Sequence, residues 1–131
     1  MTQDSQKFSF DNFFYALHQV ETGGRLDKIE GCFGKTKGPF QIHYEYWVDS
    51  SVSGNFEKDI FDLDKSKECV SGWLNRHAKS EWSNSMSLSD CEKCARRYNG
   101  GPEGDKMLQT EAYWNKFKNH LDRNKKCHDN C

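Results

Sequence analysis

The sequence predicts an α-rich (α+β) single domain of about five helices, with at most a small hairpin near residues 25–38. The 131-residue chain is long enough for one hydrophobic core but not for two. Apolar residues recur at helical spacing in several segments, and little of the chain indicates a sheet. Internal repeats and low-complexity linkers are absent from the sequence, so residues 1–131 are predicted to form one domain.

The first helix is predicted to start near Ser9 or Asp11, either of which can cap it. Gly23 and Gly24 are suited to end it, because glycine enters the left-handed region without steric cost. Glu21 lies in the last turn, at the edge of an apolar stripe with helical spacing. That stripe consists of Phe10, Phe13, Phe14, Leu17 and Val20.

The next segments predict a loop or short hairpin over residues 25–38 and a second helix that Pro39 opens, since a first helical turn accepts proline. The apolar side of this second helix comprises Phe40, Tyr44, Trp47 and Val48. Residues 50–67, "SSVSGNFEKDIFDLDKSK", are predicted to form an irregular connection.

Three more helices are predicted in the second half of the chain. Val70, Trp73, Leu74 and His77 mark the third helix, and Cys91, Cys94, Ala95 and Tyr98 share a face of the fourth. The segments "SMSLSD" and "NGGPEG" bound that fourth helix. A last helix, with Thr110 as its expected cap, carries Trp114, Phe117 and Leu121 inward. Residues 1–8 and 122–131 are expected to be peripheral tails.

Charge and hydropathy exclude some function classes. The formal net charge is −1 and the isoelectric point about 6.5, which argues against nucleic acid as the main partner. No apolar stretch is long enough to span a membrane. The N-terminus "MTQDSQKF" lacks the apolar middle of a signal peptide, so we expect either a cytosolic protein or a mature form with an added Met.

Six cysteines, at positions 32, 69, 91, 94, 127 and 131, leave two interpretations open. An even count in a small polar chain fits three disulfides. The alternative is structural zinc held by Cys91, Cys94, Cys127 and Cys131. A remote possibility is a zinc deaminase using His43, Cys91 and Cys94, although the proline that such a site requires before the first cysteine is replaced by Asp90.

Glu21 is the candidate for acid–base chemistry. The negative end of the helix dipole and burial beside Leu17 both disfavour its ionised form, so both raise its pKa. A carboxylic acid that stays protonated near neutral pH is what glycosidic cleavage requires, because the departing oxygen must receive a proton. The alternative is an ordinary amphipathic helix whose edge glutamate points to water.

Three segments, in order, carry a resemblance to a known family. "QVETGG", "KGPFQIHYEYWVDS" and "CARRYNGGPEG…EAYWNKF" closely resemble the invertebrate-type lysozymes of the destabilase family and their bacterial relatives, over residues 18 to 117. The resemblance implies a small lysozyme-like domain. It also implies hydrolysis of the β-1,4 bonds between N-acetylmuramic acid and N-acetylglucosamine in peptidoglycan, with Glu21 as general acid.

The resemblance leaves the second carboxylate open. Family members place an aspartate about seven residues before the glycine that corresponds to Gly38, and this sequence has no aspartate there. Glu30, one residue away, is the best substitute as nucleophile or electrostatic stabiliser, and Asp27 is the next. A third possibility is an enzyme with one acid, or a saccharide-binding protein that is weakly active or inactive.

The resemblance also assigns substrate contacts. The residues implied to bind sugar are Gln41, His43, Tyr98, Asn99 and Gly100, while Phe40, Trp47 and Trp114 are assigned to packing. The alternatives are that His43 is an ordinary surface residue and that Gly100 and Gly101 only end a helix. His43 stands where many relatives carry a lysine associated with isopeptidase activity, so that activity is not extended to this chain. Lys37 stands where a cysteine is common, whereas Cys69 and Cys91 match family cysteines, which implies a bridge between them.

The expected partner is bacterial cell-wall polysaccharide, with chitin oligomers as a further possibility. We expect no cofactor, no resident metal, no nucleic acid, no membrane and a monomeric protein. Oxidised cysteines would imply a secreted, extracellular or digestive setting, and the resemblance implies an antimicrobial role. Five histidines make the chain cationic below about pH 6, so a mildly acidic working pH is predicted.

Overall fold

The computed structural model describes residues 6–130, and the side chains of residues 6–121. This part of the chain contains six α-helices and a small antiparallel sheet, which confirms the predicted fold class. The helices are α1 Phe10–Thr22, α2 Tyr44–Asp49, α3 Phe56–Asp59, α4 Leu63–His77, α5 Leu88–Gly100 and α6 Glu111–Asn130. The strands are β1 Glu30–Gly31, β2 Thr36–Lys37 and β3 Ile42–His43, in the order β1-β2-β3. Over the described range, none of the helices is both long and apolar enough to cross a membrane.

Helix α1 follows the prediction at both ends. Ser9 is the N-cap, and its hydroxyl accepts a hydrogen bond from the Asn12 backbone N–H at 3.1 Å while the Asn12 side chain accepts one from Ser9 N–H. Gly23 ends the helix with φ 67°, a left-handed conformation that glycine adopts without the steric cost of a Cβ atom. Glu21 is therefore fixed in the final turn.

The segment after α1 differs from the prediction. The predicted hairpin is confirmed as β1 and β2, but a third strand, β3, follows it. The second helix consequently begins at Tyr44, and Pro39 does not open it. The reason is Gln41, whose φ of 54° interrupts any helix at that point.

Residues 50–67, predicted to be irregular, contain helix α3 and the start of α4. Asn55 caps α3 and Asp62 caps α4, each through a side-chain oxygen that accepts a backbone N–H three residues later. The rest of α4 follows the predicted stripe, with Val70, Trp73 and Leu74 buried. Capping by short polar side chains makes helices in a segment that has no clear apolar period.

Aromatic side chains form much of the core, to which α1, α4, α5 and α6 all contribute buried residues. Phe13 packs on Phe117 of α6 with ring centroids 4.9 Å apart, and on Trp82 at 5.0 Å. The predicted packing role of Phe40, Trp47 and Trp114 is confirmed, since all three are buried. Phe8 is not peripheral as expected: it is buried and exchanges backbone hydrogen bonds with Met86. Residues 122–131, the other predicted tail, continue helix α6 as far as Asn130, and their side chains lie outside the described residues.

Arg96 anchors the connection between α5 and α6. Its guanidinium is buried and donates to the Thr110 hydroxyl at 2.8 Å and to the Met107 carbonyl at 2.7 Å. The Thr110 hydroxyl in turn donates to the Gly104 carbonyl at 2.7 Å. These bonds define where α6 begins, and hence where its first turn meets the end of α1.

The cysteine prediction needs correction. Cys69, Cys91 and Cys94 are buried free thiols, and Cys32 is an exposed free thiol. The bridge between Cys69 and Cys91 is therefore not formed. Burial raises the pKa of Cys69 to about 11 and of Cys91 to about 12, so both behave as small apolar core residues. Cys127 and Cys131 lie outside the residues whose side chains are described.

Candidate active site

Glu21 lines a cleft, and its side chain is largely buried. Burial is the main cause that raises the pKa of its carboxyl to about 7, while a hydrogen bond from Tyr113 opposes the rise. The Tyr113 hydroxyl donates to Glu21 Oε2 at 2.7 Å. The predicted direction of the pKa shift is confirmed, and the alternative of a glutamate that points to water is excluded.

The cleft has a volume of about 270 Å³ and brings together residues from both halves of the chain. It is lined by Glu21, Cys32, Thr36, Gln41, Ile42, His43, Tyr46, Tyr98 and Asn99. The structure therefore gathers five of the residues predicted from the sequence: Glu21, Gln41, His43, Tyr98 and Asn99. Their sugar-binding roles stay predictions.

Gly100, the remaining predicted contact, faces the interior. A Cβ atom at this position would lie 2.7 Å from Thr110 Cγ2 and 3.2 Å from Met107 Sδ. Glycine is required there by the close approach of the segment after α5, and Gly100 is not among the residues that line the cleft.

Gln41 forms part of the cleft wall through an internal network. Its Oε1 accepts from the Thr36 hydroxyl at 2.8 Å, and its Nε2 donates to the Gly38 carbonyl at 3.0 Å. Gly31 lies directly against this amide, because a Cβ atom there would be 2.2 Å from Gln41 Oε1. The network holds the Gln41 side chain against the sheet despite its left-handed backbone.

His43 and Tyr98 reach the cleft from different elements, β3 and α5. His43 precedes helix α2 and makes no side-chain capping bond, and it is exposed where it lines the cleft. Tyr98, on α5, donates its hydroxyl to the Phe40 carbonyl and packs edge-to-face on Tyr46 with centroids 5.2 Å apart. This bond joins α5 to the segment that leads into β3.

The zinc alternatives receive no support from the described residues. Cys91 and Cys94 are fully buried in the core, whereas His43 is exposed on the cleft. Across residues 6–121, no three His, Cys, Asp or Glu side chains are grouped so that they could hold a metal ion. The four-cysteine zinc site includes Cys127 and Cys131, which lie outside the described residues.

The candidates for a second carboxylate differ in their surroundings. Glu30 lies opposite Lys37 in the β1–β2 register, and its Oε2 is 3.4 Å from Lys37 Nζ. It is half exposed and is not among the residues that line the cleft. Asp27 forms an exposed ion pair with Arg25, at 2.6 Å between Oδ2 and Nη2. The catalytic role of Glu30 stays a prediction.

Sequence reasoning missed two tyrosines near Glu21. Tyr113 lies 92 positions away in the chain, and only its neighbour Trp114 was assigned a role. Tyr113 and Phe117 are separated by the same i, i+4 spacing as Phe117 and Leu121. This spacing could have indicated that Tyr113 lies on the inward face of α6. Tyr46 lines the cleft with its ring stacked on Trp73 at 4.6 Å, and its buried hydroxyl has no hydrogen-bond partner in the described part of the chain.

The chain is similar to known proteins in sequence and in fold. The Destabilase family model matches residues 14–120. Lysozyme 1 of Crassostrea virginica is 40% identical over 83 residues, which are 62% of this chain and 42% of that protein. A lysozyme of Meretrix lusoria is 35% identical over 82 residues, covering 62% of this chain and 64% of that protein. The chain thus spans less than two thirds of the length of these curated relatives.

Two solved structures are similar over more of the chain. The crystal structure of Meretrix lusoria lysozyme in complex with Aeromonas hydrophila PliI superposes with a TM-score of 0.69 at 28% identity, covering 82% of this chain and 87% of that one. The crystal structure of Tapes japonica lysozyme gives a TM-score of 0.67 at 26% identity, covering 81% and 85%.

Proposed function

The chain belongs to the destabilase family, and on that premise we propose that it is a muramidase that hydrolyses β-1,4 bonds between N-acetylmuramic acid and N-acetylglucosamine in peptidoglycan. One observation carries the proposal: the Glu21 carboxyl lines a cleft and has a pKa raised to about 7 by burial. Such an acid keeps its proton near neutral pH and can protonate the glycosidic oxygen as the bond breaks. Glu21 is the general acid.

The pH dependence of cell-wall clearing tests this assignment. The acid form of Glu21 is present below its pKa of about 7 and is lost as pH rises through that value. We expect the clearing rate of a bacterial cell-wall suspension to fall with pH above 7, by roughly tenfold for each further pH unit. A rate that is still maximal at pH 9 would show that no acid with this pKa takes part.

Glu30 is the proposed second carboxylate. Within the three strands it is the only acidic side chain, whereas Asp27 lies outside the sheet. Lys37 Nζ contacts both Glu30 and Glu57, at 3.4 Å and 2.9 Å. Held in this way, the Glu30 carboxylate would serve as nucleophile or stabilise the positive charge of the transition state.

Glutamine substitutions at the two partners of Lys37 form a matched pair. We expect Glu30→Gln to lower the clearing rate by roughly 100-fold, because it removes the negative charge that the transition state needs. Glu57→Gln removes the other partner of Lys37 and should change the rate by no more than about twofold, as for an exposed ion pair. Equal rates for both variants and the unsubstituted protein would exclude Glu30 from the chemistry.

The setting of this activity is also part of the proposal. A net charge of −1 gives little electrostatic attraction to anionic cell walls at pH 7, whereas protonation of five histidines makes the chain cationic at mildly acidic pH. We therefore propose that the protein acts as a monomer on bacterial walls outside cells or in a digestive space. Chitin oligomers share the N-acetylglucosamine unit and are a second candidate substrate.

A further inference from the structure

We propose that Tyr113 is a positioning residue that decides which oxygen of the Glu21 carboxyl carries the transferable proton. The inference rests on the proposed function, since it concerns the delivery of that proton. Tyr113 lies in the first turn of α6, and Glu21 in the last turn of α1, two helices that pack against each other. Their side chains meet through a single hydrogen bond of 2.7 Å between Tyr113 Oη and Glu21 Oε2.

The Tyr113 hydroxyl is the donor in this bond. Burial, together with the charge of Glu21, holds the pKa of its phenol well above the ordinary value, so the O–H stays intact at any working pH. Within the described residues this hydroxyl has no other acceptor. If Glu21 carried its proton on Oε2, that proton would point at the phenol oxygen, and the phenol's own hydrogen would have no acceptor among the described residues.

The proton of the acid form therefore resides on Oε1. That oxygen has no hydrogen-bond partner among the described residues, whereas Oε2 is occupied by Tyr113. Because Glu21 lines the cleft, Oε1 is the oxygen left to donate to a bound glycosidic oxygen. On transfer, the O–H bond of Oε1 breaks, the departing sugar oxygen gains that proton, and the negative charge left on Glu21 is shared with Oε2, where the Tyr113 O–H stabilises it.

The ring of Tyr113 is held independently of its hydroxyl. It packs on Phe117, one turn further along α6, with ring centroids 6.3 Å apart. A phenylalanine at 113 should therefore keep the packing of α1 on α6 and remove only the hydrogen bond. The bond lowers the Glu21 pKa, so its loss should raise that pKa further.

The change in the Glu21 pKa that follows loss of the Tyr113 hydrogen bond can be separated from the influence of the other titratable groups nearby. The cleft lining contains no lysine, arginine or second acid among the described residues. The titratable groups around Glu21 are Cys32, His43, Tyr46 and Tyr98, which line the cleft with it, and Tyr113, which is hydrogen-bonded to it. Only Tyr113 donates a hydrogen bond to Glu21, and the other four are unchanged by a substitution at 113.

The test is the pH profile of cell-wall clearing for Tyr113→Phe. We expect two opposite changes: the maximal rate falls by roughly tenfold because the proton is no longer confined to Oε1, and the high-pH limb moves up by roughly 0.5 to 1 pH unit. Tyr15→Phe, the same chemical change on the exposed side of α1, should superpose on the unsubstituted protein. If Tyr113 had only a structural role, Tyr113→Phe would lower the rate without changing the pH at which the rate falls on the alkaline side. An alkaline fall at the same pH or at a lower pH would therefore overturn the inference.

A second measurement needs neither activity nor a variant that folds. In proton NMR of the unsubstituted protein, the Tyr113 hydroxyl proton should exchange slowly, and its chemical shift should change with pH at the same midpoint as Glu21. No such proton, or one that does not follow Glu21, overturns the inference even if the protein is active. If the protein clears no cell walls at any pH while this proton follows Glu21, the proposed function fails and the role of Tyr113 as donor to Oε2 stands.

Discussion

Replacement of Glu21 by glutamine should abolish cell-wall clearing, with a loss of roughly 1,000-fold or more. Glutamine has nearly the same shape and can still accept a hydrogen bond from Tyr113, but it has no proton to give to the departing oxygen. The comparison is the clearing rate of a bacterial cell-wall suspension at pH 6, where Glu21 of the unsubstituted protein is protonated. Equal rates for the two proteins would contradict the catalytic role of Glu21. They would favour the alternative of a lysozyme-shaped protein that binds saccharide without cutting it.

Stability measurements show whether Glu21→Gln acts on chemistry alone. The pKa of Glu21 is higher in the folded chain, about 7, than its ordinary value of 4.5, so the folded state binds this proton more tightly. The free energy of unfolding should therefore fall as pH rises from about 4.5 to about 7, by roughly 2 to 4 kcal/mol. The glutamine variant escapes this loss, and we expect it to unfold at a higher temperature than the unsubstituted protein at pH 8.

Gly38→Ala should have the largest effect on stability among the substitutions considered. Gly38 has φ 84°, and a Cβ atom there would lie 2.2 Å from the Ile60 carbonyl oxygen. Left-handed strain and the clash with backbone together should lower the free energy of unfolding by roughly 2 to 5 kcal/mol. The Gly38 carbonyl also accepts hydrogen bonds from the backbone and side chain of Gln41, so the cleft wall should shift and KM should rise.

Gly34→Ala is the matched control for this prediction. Gly34 has nearly the same conformation, φ 83°, but a Cβ atom there meets only Glu30 Oε1 at 3.6 Å, an ordinary contact. Gly34→Ala therefore introduces the backbone strain without the clash, and it should lower the free energy of unfolding by about 1 to 2 kcal/mol. Thermal unfolding of both variants separates the two causes. Equal losses would mean that the approach of Ile60 to Gly38 is looser than the structure shows.

The helices with long apolar stripes could be predicted from the sequence, and the sheet could not be predicted fully. Helix α1 has both a cap at Ser9 and a stop at Gly23, so local chemistry specifies its ends. Strand β3 has two residues and follows Gln41, whose left-handed backbone is held by bonds to Thr36 and Gly38. A strand of two residues is too short to show a hydrophobic period in the sequence. The left-handed conformation of Gln41 is imposed by tertiary contacts, because glutamine rarely adopts it.

The candidate site was predictable where one segment decides it. The position of Glu21 at the edge of an apolar stripe indicated the direction of its pKa shift but also allowed a glutamate that points to water, and the family resemblance decided between the two. Tyr113 was not predictable as its partner, because the pairing depends on how α6 packs on α1. The ion pair of Lys37 with Glu57 was equally hidden, since α3 lies in a segment without apolar period.

Titration of Glu21 by carbon-13 NMR tests the central claim most directly. In protein labelled at the glutamate carboxyl carbons, the Glu21 signal is the one that disappears in Glu21→Gln. The buried, cleft-lining acid described here predicts a midpoint near pH 7 for that signal. A midpoint near the ordinary 4.5 would mean that Glu21 is ionised at neutral pH, and the protein would then lack the proton donor on which the proposed hydrolysis depends.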